Sequence, residues 1–168
     1  MKALMFGWEF PPHILGGLGT ASYGLTKGMW ECGDMDITFV IPKPHGDEEK
    51  WFAKIIGASQ VPIAWRDVNR DYVENRIGNV MDPDMYYRLR SNIYADFNYM
   101  RTNDLGCIEF SGRYPDNLLE EINNYSICAG VIARTEEFDV IHSHDWLTYM
   151  AGIAAKRVSG KPLVIHVH

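Results

Sequence analysis

Three short stretches carry the residues able to do chemistry: a glycine loop at Gly16, Gly17 and Gly19, the run His142-Ser143-His144-Asp145-Trp146, and the terminal His166-Val167-His168. Glycine, lacking a Cβ, can adopt positive φ and let a ligand approach the backbone. A helix that follows such a loop points free N–H groups and the positive end of its dipole at it, a field matched to phosphate. The same glycines also suit a tight turn with no ligand. Histidines two apart on a strand share a face, which pairs His142 with His144 and His166 with His168. Neutral imidazoles with Asp145 can ligate a metal, sit as hydrogen-bonded core residues at strand ends, or hydrogen-bond a polyol. Against a metal, there is no H-E-x-x-H or paired Cys-x-x-Cys, and the two histidine pairs can face different layers. The balance favours the polyol. A nicotinamide dinucleotide site is excluded: Ser22 stands where a third glycine or alanine belongs, and the second strand ends Val40-Ile41-Pro42-Lys43 with no ribose-binding acid. No G-K-[ST] is present, so neither is a P-loop.

The elements that must position these residues follow from periodicity. Lys2 to Gly7 is a buried strand, and Ala21, Leu25, Met29 and Cys32 recur at helical spacing with Thr20 as the expected N-cap. Asp36 to Ile41 is a second strand closed by Pro42, and this βαβ unit implies a parallel sheet. Val61 to Trp65 reads as a short strand, and Asp82-Pro83 opens a helix through Tyr86, Leu89, Ile93 and Phe97. Residues 45–117 hold Trp51, Trp65, Tyr72, Tyr86, Tyr87, Tyr94 and Tyr99, rings that either stack on sugars or simply pack. Leu118, Ile122, Tyr125, Ala129 and Ile132 mark a long amphipathic helix. Phe138 to His144 is a strand, and Leu147, Ala151, Ala154, Ala155 and Val158 form a helix that Ser159-Gly160 ends. Pro162 to His168 is the last strand. The fold expected is α/β: a Rossmann-like parallel sheet with flanking helices, whose ligands bind outside the carboxyl ends of the strands.

The chain has 168 residues, 46% of them apolar, and a formal charge of −6. That suffices for one ordinary α/β domain, and the acidic balance offers no cation cluster for a nucleic-acid backbone. No stretch suits a signal peptide or a membrane span. Cys32, Cys107 and Cys128, widely spaced among apolar residues, read as reduced core thiols of a cytoplasmic protein. Because the chain stops on a strand end, residues 1–168 are expected to be a truncated N-terminal domain.

Together, E-x-x-x-x-x-x-G-G-L-G from Glu9 to Gly19, H-S-H-D-W-L-T from His142 to Thr148 and the terminal I-H-V-H resemble the N-terminal domain of GT-B glycosyltransferases of the glycogen and starch synthase type. The resemblance implies two Rossmann-like domains about a cleft, with this one binding the acceptor glucan. An absent C-terminal domain would hold most of the nucleotide-diphosphate sugar. It implies a retaining, metal-independent transfer with no cofactor beyond the donor substrate, and no complete catalytic set within these residues. By that match Gly16, Gly17 and Leu18 approach the donor diphosphate, His144 contacts the transferred glucose, and His168 sits beside it, with Glu9, Gly19 and Asp145 in the same substrate-binding set. Ile14 stands where such synthases commonly carry lysine, which opens the choice of donor. The alternatives are a metal-assisted hydrolase built on His142, His144 and Asp145, and a non-catalytic carbohydrate-binding domain.

Overall fold

The computed structural model describes residues 1–33, 35–64 and 102–168. Its elements are β1 (Lys2–Phe6), α1 (Gly17–Glu31), β2 (Asp36–Ile41), β3 (Lys54–Gly57), α2 (Leu118–Thr135), β4 (Val140–His144), α3 (Trp146–Ser159) and β5 (Leu163–His166). All described strands run parallel in the order β3-β2-β1-β4-β5. The order departs from β1 in both directions, so the gap between the ends of β1 and β4 is a topological switch point, where open α/β sheets form their ligand crevice.

Alternation along the strands divides two apolar layers. Leu4, Phe6, Val40 and Ile141 face α2 and α3, while Ala3, Met5, Ile37, Phe39 and Ile41 form a second core with Phe10, Tyr23 and Met29 on the α1 side. The α2 stripe is as the spacing predicts, with Ile122, Tyr125, Ala129 and Ile132 buried. Gly160 closes α3 at φ 71°, the left-handed conformation glycine adopts without cost. Gly152 lets α3 lie close on the sheet: a Cβ there would fall 2.0 Å from Ser143 Oγ.

Several expectations are corrected. Among the described residues the third strand is Lys54–Gly57, in register with Thr38 to Ile41, while residues 61–64 of the expected Val61 to Trp65 strand form none and Trp65 lies outside the described residues. Pro62, which has no N–H to give a ladder, makes only an isolated bridge to Cys107. Helix α1 starts at Gly17 with Gly16 as its N-cap and no capping side chain, so Thr20 lies inside it. Its buried residues are Gly19, Ser22 and Thr26; of the expected stripe, Met29 packs half-buried against the second core and Leu25 is half-buried, while Ala21 and Cys32 are exposed. Small residues let it approach the sheet, and the buried hydroxyls return to the Leu18 and Ser22 carbonyls at 2.7 and 2.6 Å. Cys32 is exposed, whereas Cys107 and Cys128 are buried; burial, then Cys107, pushes the Cys128 thiol up to about 12. The helix from Asp82 and the aromatics Trp65, Tyr72, Tyr86, Tyr87, Tyr94 and Tyr99 lie outside the described residues. Among the described residues no helix is long and apolar enough to cross a membrane.

Tyr125 ties α2 to the carboxyl edge of the sheet. Its fully buried hydroxyl lies 3.0 Å from the Gly7 carbonyl and 2.7 Å from that of Val40, within donating reach of both. Phe6, Trp8 and Phe110 pack edge-on around its ring. Tyr125→Phe should lower unfolding free energy by about 1–3 kcal/mol, because a buried carbonyl loses its donor. Urea unfolding checks this, and an unchanged midpoint would make the hydroxyl incidental.

Candidate functional site at the sheet switch point

The loop after β1 enters the crevice first. Glu9 is 6% exposed, its Oε2 accepts the Leu15 N–H at 3.1 Å, and its Oε1 is buried without a geometric hydrogen bond among the described residues. Gly19 must be glycine, since a Cβ would lie 2.8 Å from Glu9 Oε2 and 2.9 Å from the Ile14 side chain. The loop glycines do not use positive φ: Gly16 is extended at φ −158°. A Cβ on Gly16 or Gly17 would meet nothing within 4 Å, so these positions leave open space at the amino end of α1. That end carries neither a capping side chain nor an acid in its first turn. Its first N–H groups and dipole therefore face the crevice, with the Glu9 carboxylate packed beneath the first turn as the nearest protein acid.

On the far side of the switch point β4 and β5 bring four histidines to one layer. Pairing aligns Met5 with His142 and His144 with His166, so the histidines share the α1 side of the sheet instead of splitting between layers. Ring centroids of His142 and His144 are 4.4 Å apart, those of His166 and His168 4.3 Å, and those of His142 and His166 5.5 Å in a stacked arrangement. His144 Nδ1 lies 3.4 Å from His168 Nε2, while His144 Nε2 is buried with no partner among the described residues. Burial first, then the neighbouring imidazoles, lowers His142 to about 4 and His144 to about 3. Both are neutral at pH 7.

Asp145 follows at φ 63° and ψ 171°, a region essentially reserved for glycine. Its N–H bonds the His166 carbonyl at 2.8 Å, joining the ends of β4 and β5. The carboxylate does not cap α3; Thr148 approaches the Asp145 backbone carbonyl instead. Its charge acts on His168, opposing the depression that burial and His166 impose there. Tyr114, unmarked by any motif, completes the site. Although Tyr114 keeps 44% of its surface exposed, its phenol is raised well above the usual range by burial, then by a hydrogen bond to Glu9 and its charge, then by the charge of Asp145, so it lies within electrostatic reach of both loops. The structure thus joins His144, Asp145 and His168 in one group and Glu9 with Gly16 to Gly19 in another, bridged by Tyr114. Such a crevice can bind an anion at α1 and hydroxyl groups along its acidic and imidazole wall.

A family model described as the starch synthase catalytic domain matches residues 2–168. An uncharacterized glycosyltransferase of Methanocaldococcus jannaschii is 25% identical over 169 residues, spanning 100% of this chain and 31% of the relative. A glycogen synthase of Mycobacterium tuberculosis is 25% identical over 176 residues, spanning 100% of this chain and 33% of the relative. The chain thus covers about a third of the length of the curated relatives it matches.

The buried imidazoles predict an acid-sensitive fold. Unfolded histidines protonate near 6.5, but native His142 and His144 resist protonation down to about 4 and about 3. Their contribution is therefore present above pH 6.5 and is lost as pH falls toward 4, at up to about 1.4 kcal/mol per histidine per pH unit. Urea unfolding at pH 7.5 and 5.0, both with chelator, should show the drop, and His142→Gln should reduce it. Equal stability at the two pH values would contradict the burial.

Proposed function

This chain belongs to the starch synthase catalytic-domain family, and from that premise we propose that it is the N-terminal, acceptor-side domain of a retaining GT-B glycosyltransferase. The enzyme moves glucose from a nucleotide-diphosphate sugar to a glucan or related saccharide. One observation carries the reading: an uncapped helix N-terminus and a strained His144-Asp145 turn flank the same switch point. In this reading Gly16, Gly17 and Leu18 meet the donor diphosphate, and the α1 N–H groups stabilise the charge that builds on it as the glycosidic bond breaks. Gly19 keeps α1 tight against Glu9, and His144 offers its unpartnered Nε2 to a glucose hydroxyl. His168 orients that ring through Nδ1, and Asp145 places negative charge beside His168. Ile14 supplies no cation to the phosphates. Lysine or arginine from a second Rossmann-like domain, beyond this chain, neutralises them and closes the cleft. Catalysis is positional and electrostatic and requires neither metal nor cofactor. The domain works in the cytoplasm, where nucleotide sugars are made.

Nucleoside-diphosphate release by the intact protein, tested with ADP-glucose, UDP-glucose and GDP-mannose, checks the reading. A glucose donor should support transfer that keeps the donor's anomeric configuration and survives chelation. His144→Ala should lower kcat roughly ten- to thousand-fold, the scale of losing one positioned polar contact. Full turnover with a lower melting temperature would make His144 structural, and loss of parent activity on chelation would overturn the metal-free mechanism.

A further inference from the structure

We propose that His142, His144 and His166 form a binding site for one divalent transition-metal ion of the Zn2+ type, and that its occupation inhibits transfer. One ring nitrogen from each of the three lies within 4.8 Å of the others. A tetrahedral ion with Zn–N bonds of about 2.0–2.1 Å spaces its ligand atoms about 3.3 Å apart, so modest ring rotations close the set. Two adjacent parallel strands fix the three rings: His144 is the register partner of His166, and His142 precedes it by one pleat on the same face. His144 is fully buried and its Nε2 has no hydrogen-bond partner among the described residues, a lone pair or N–H desolvated without compensation from them. With Nδ1 held against His168 Nε2 at 3.4 Å, Nε2 is the nitrogen left for a ligand. A ligating imidazole commonly has its other nitrogen held in this way. His142 and His144 are neutral at pH 7, the form that ligates. Nitrogen donors alone suit Zn2+ or Co2+ better than Mg2+ or Ca2+, which prefer oxygen.

A metal on His144 takes the nitrogen that the transferase reading gives to glucose, so the inhibition rests on that reading while metal binding does not. The test is a titration of the intact, chelator-stripped protein with Co2+, read by the intense visible absorption of a four-coordinate ion and competed with Zn2+. The expected result is one Co2+ per chain, displaced by Zn2+, with the spectrum lost in His166→Gln and in His142→Gln. Where His142→Gln does not fold, the half-buried His166 decides alone. No Co2+ or Zn2+ binding at protein concentration would overturn the site. So would binding retained in His166→Gln, which would put the ion elsewhere, for example at the exposed His13 and Asp47, 2.8 Å apart. In the transfer assay Zn2+ should inhibit the parent at least tenfold more strongly than His166→Gln. Equal inhibition of the two, with the Co2+ site intact, would leave metal binding standing and remove its link to His144.

Discussion

A single backbone hydrogen bond, from Asp145 N–H to the His166 carbonyl at 2.8 Å, fixes the far wall of the crevice. It extends the β4–β5 ladder one residue beyond the strand end, just where the chain must turn into α3. Meeting both demands puts Asp145 at φ 63° and ψ 171°, a conformation costing an aspartate of order 1–3 kcal/mol. Glycine would take this backbone freely. The chain keeps a carboxylate there, and it serves no cap.

From that turn the rest of the site follows by packing. The parallel register lines four imidazoles along one face, against Phe39 and the α1 layer. Across the switch point the same logic works with small residues. Gly19, Ser22 and Thr26 let α1 approach the sheet, which delivers its amino end to the crevice and buries Glu9 beneath it. Tyr125 holds the β1–β2 side of the switch point to α2. The crevice is therefore rigid at its floor and open at Gly16 and Gly17, as suits a surface that presents dipoles to a developing charge.

Much of this was legible in the sequence because it depends on strong local signals. Asp36 to Ile41 is a run dense in β-branched and apolar residues, and the observed strand has the same limits. The stripe from Leu118 to Ile132 and the Ser159-Gly160 stop marked helices that are present. The rest depended on tertiary geometry. The most buried side of α1 could not be read from apolar spacing, because close approach selected Gly19, Ser22 and Thr26 there and left Leu25 and Met29 half-buried beside them. The glycines at 16 and 17 signal an absent Cβ rather than positive φ, while the positive φ lies at Asp145, where residue type gave no hint. That both histidine pairs share a layer required the strand order and register. Tyr114 belongs to no motif, and its approach to Glu9 depends on tertiary folding across more than a hundred residues.

The most direct test replaces Asp145 with glycine in the intact protein and measures thermal stability and turnover on the same sample. If the strained turn is retained for its carboxylate, Asp145→Gly should keep or raise the melting temperature, since the backbone cost disappears, while turnover falls at least roughly tenfold, the low end for one positioned polar group. A variant that melts lower and turns over normally would contradict the account, leaving Asp145 a structural residue and the crevice without its organising wall.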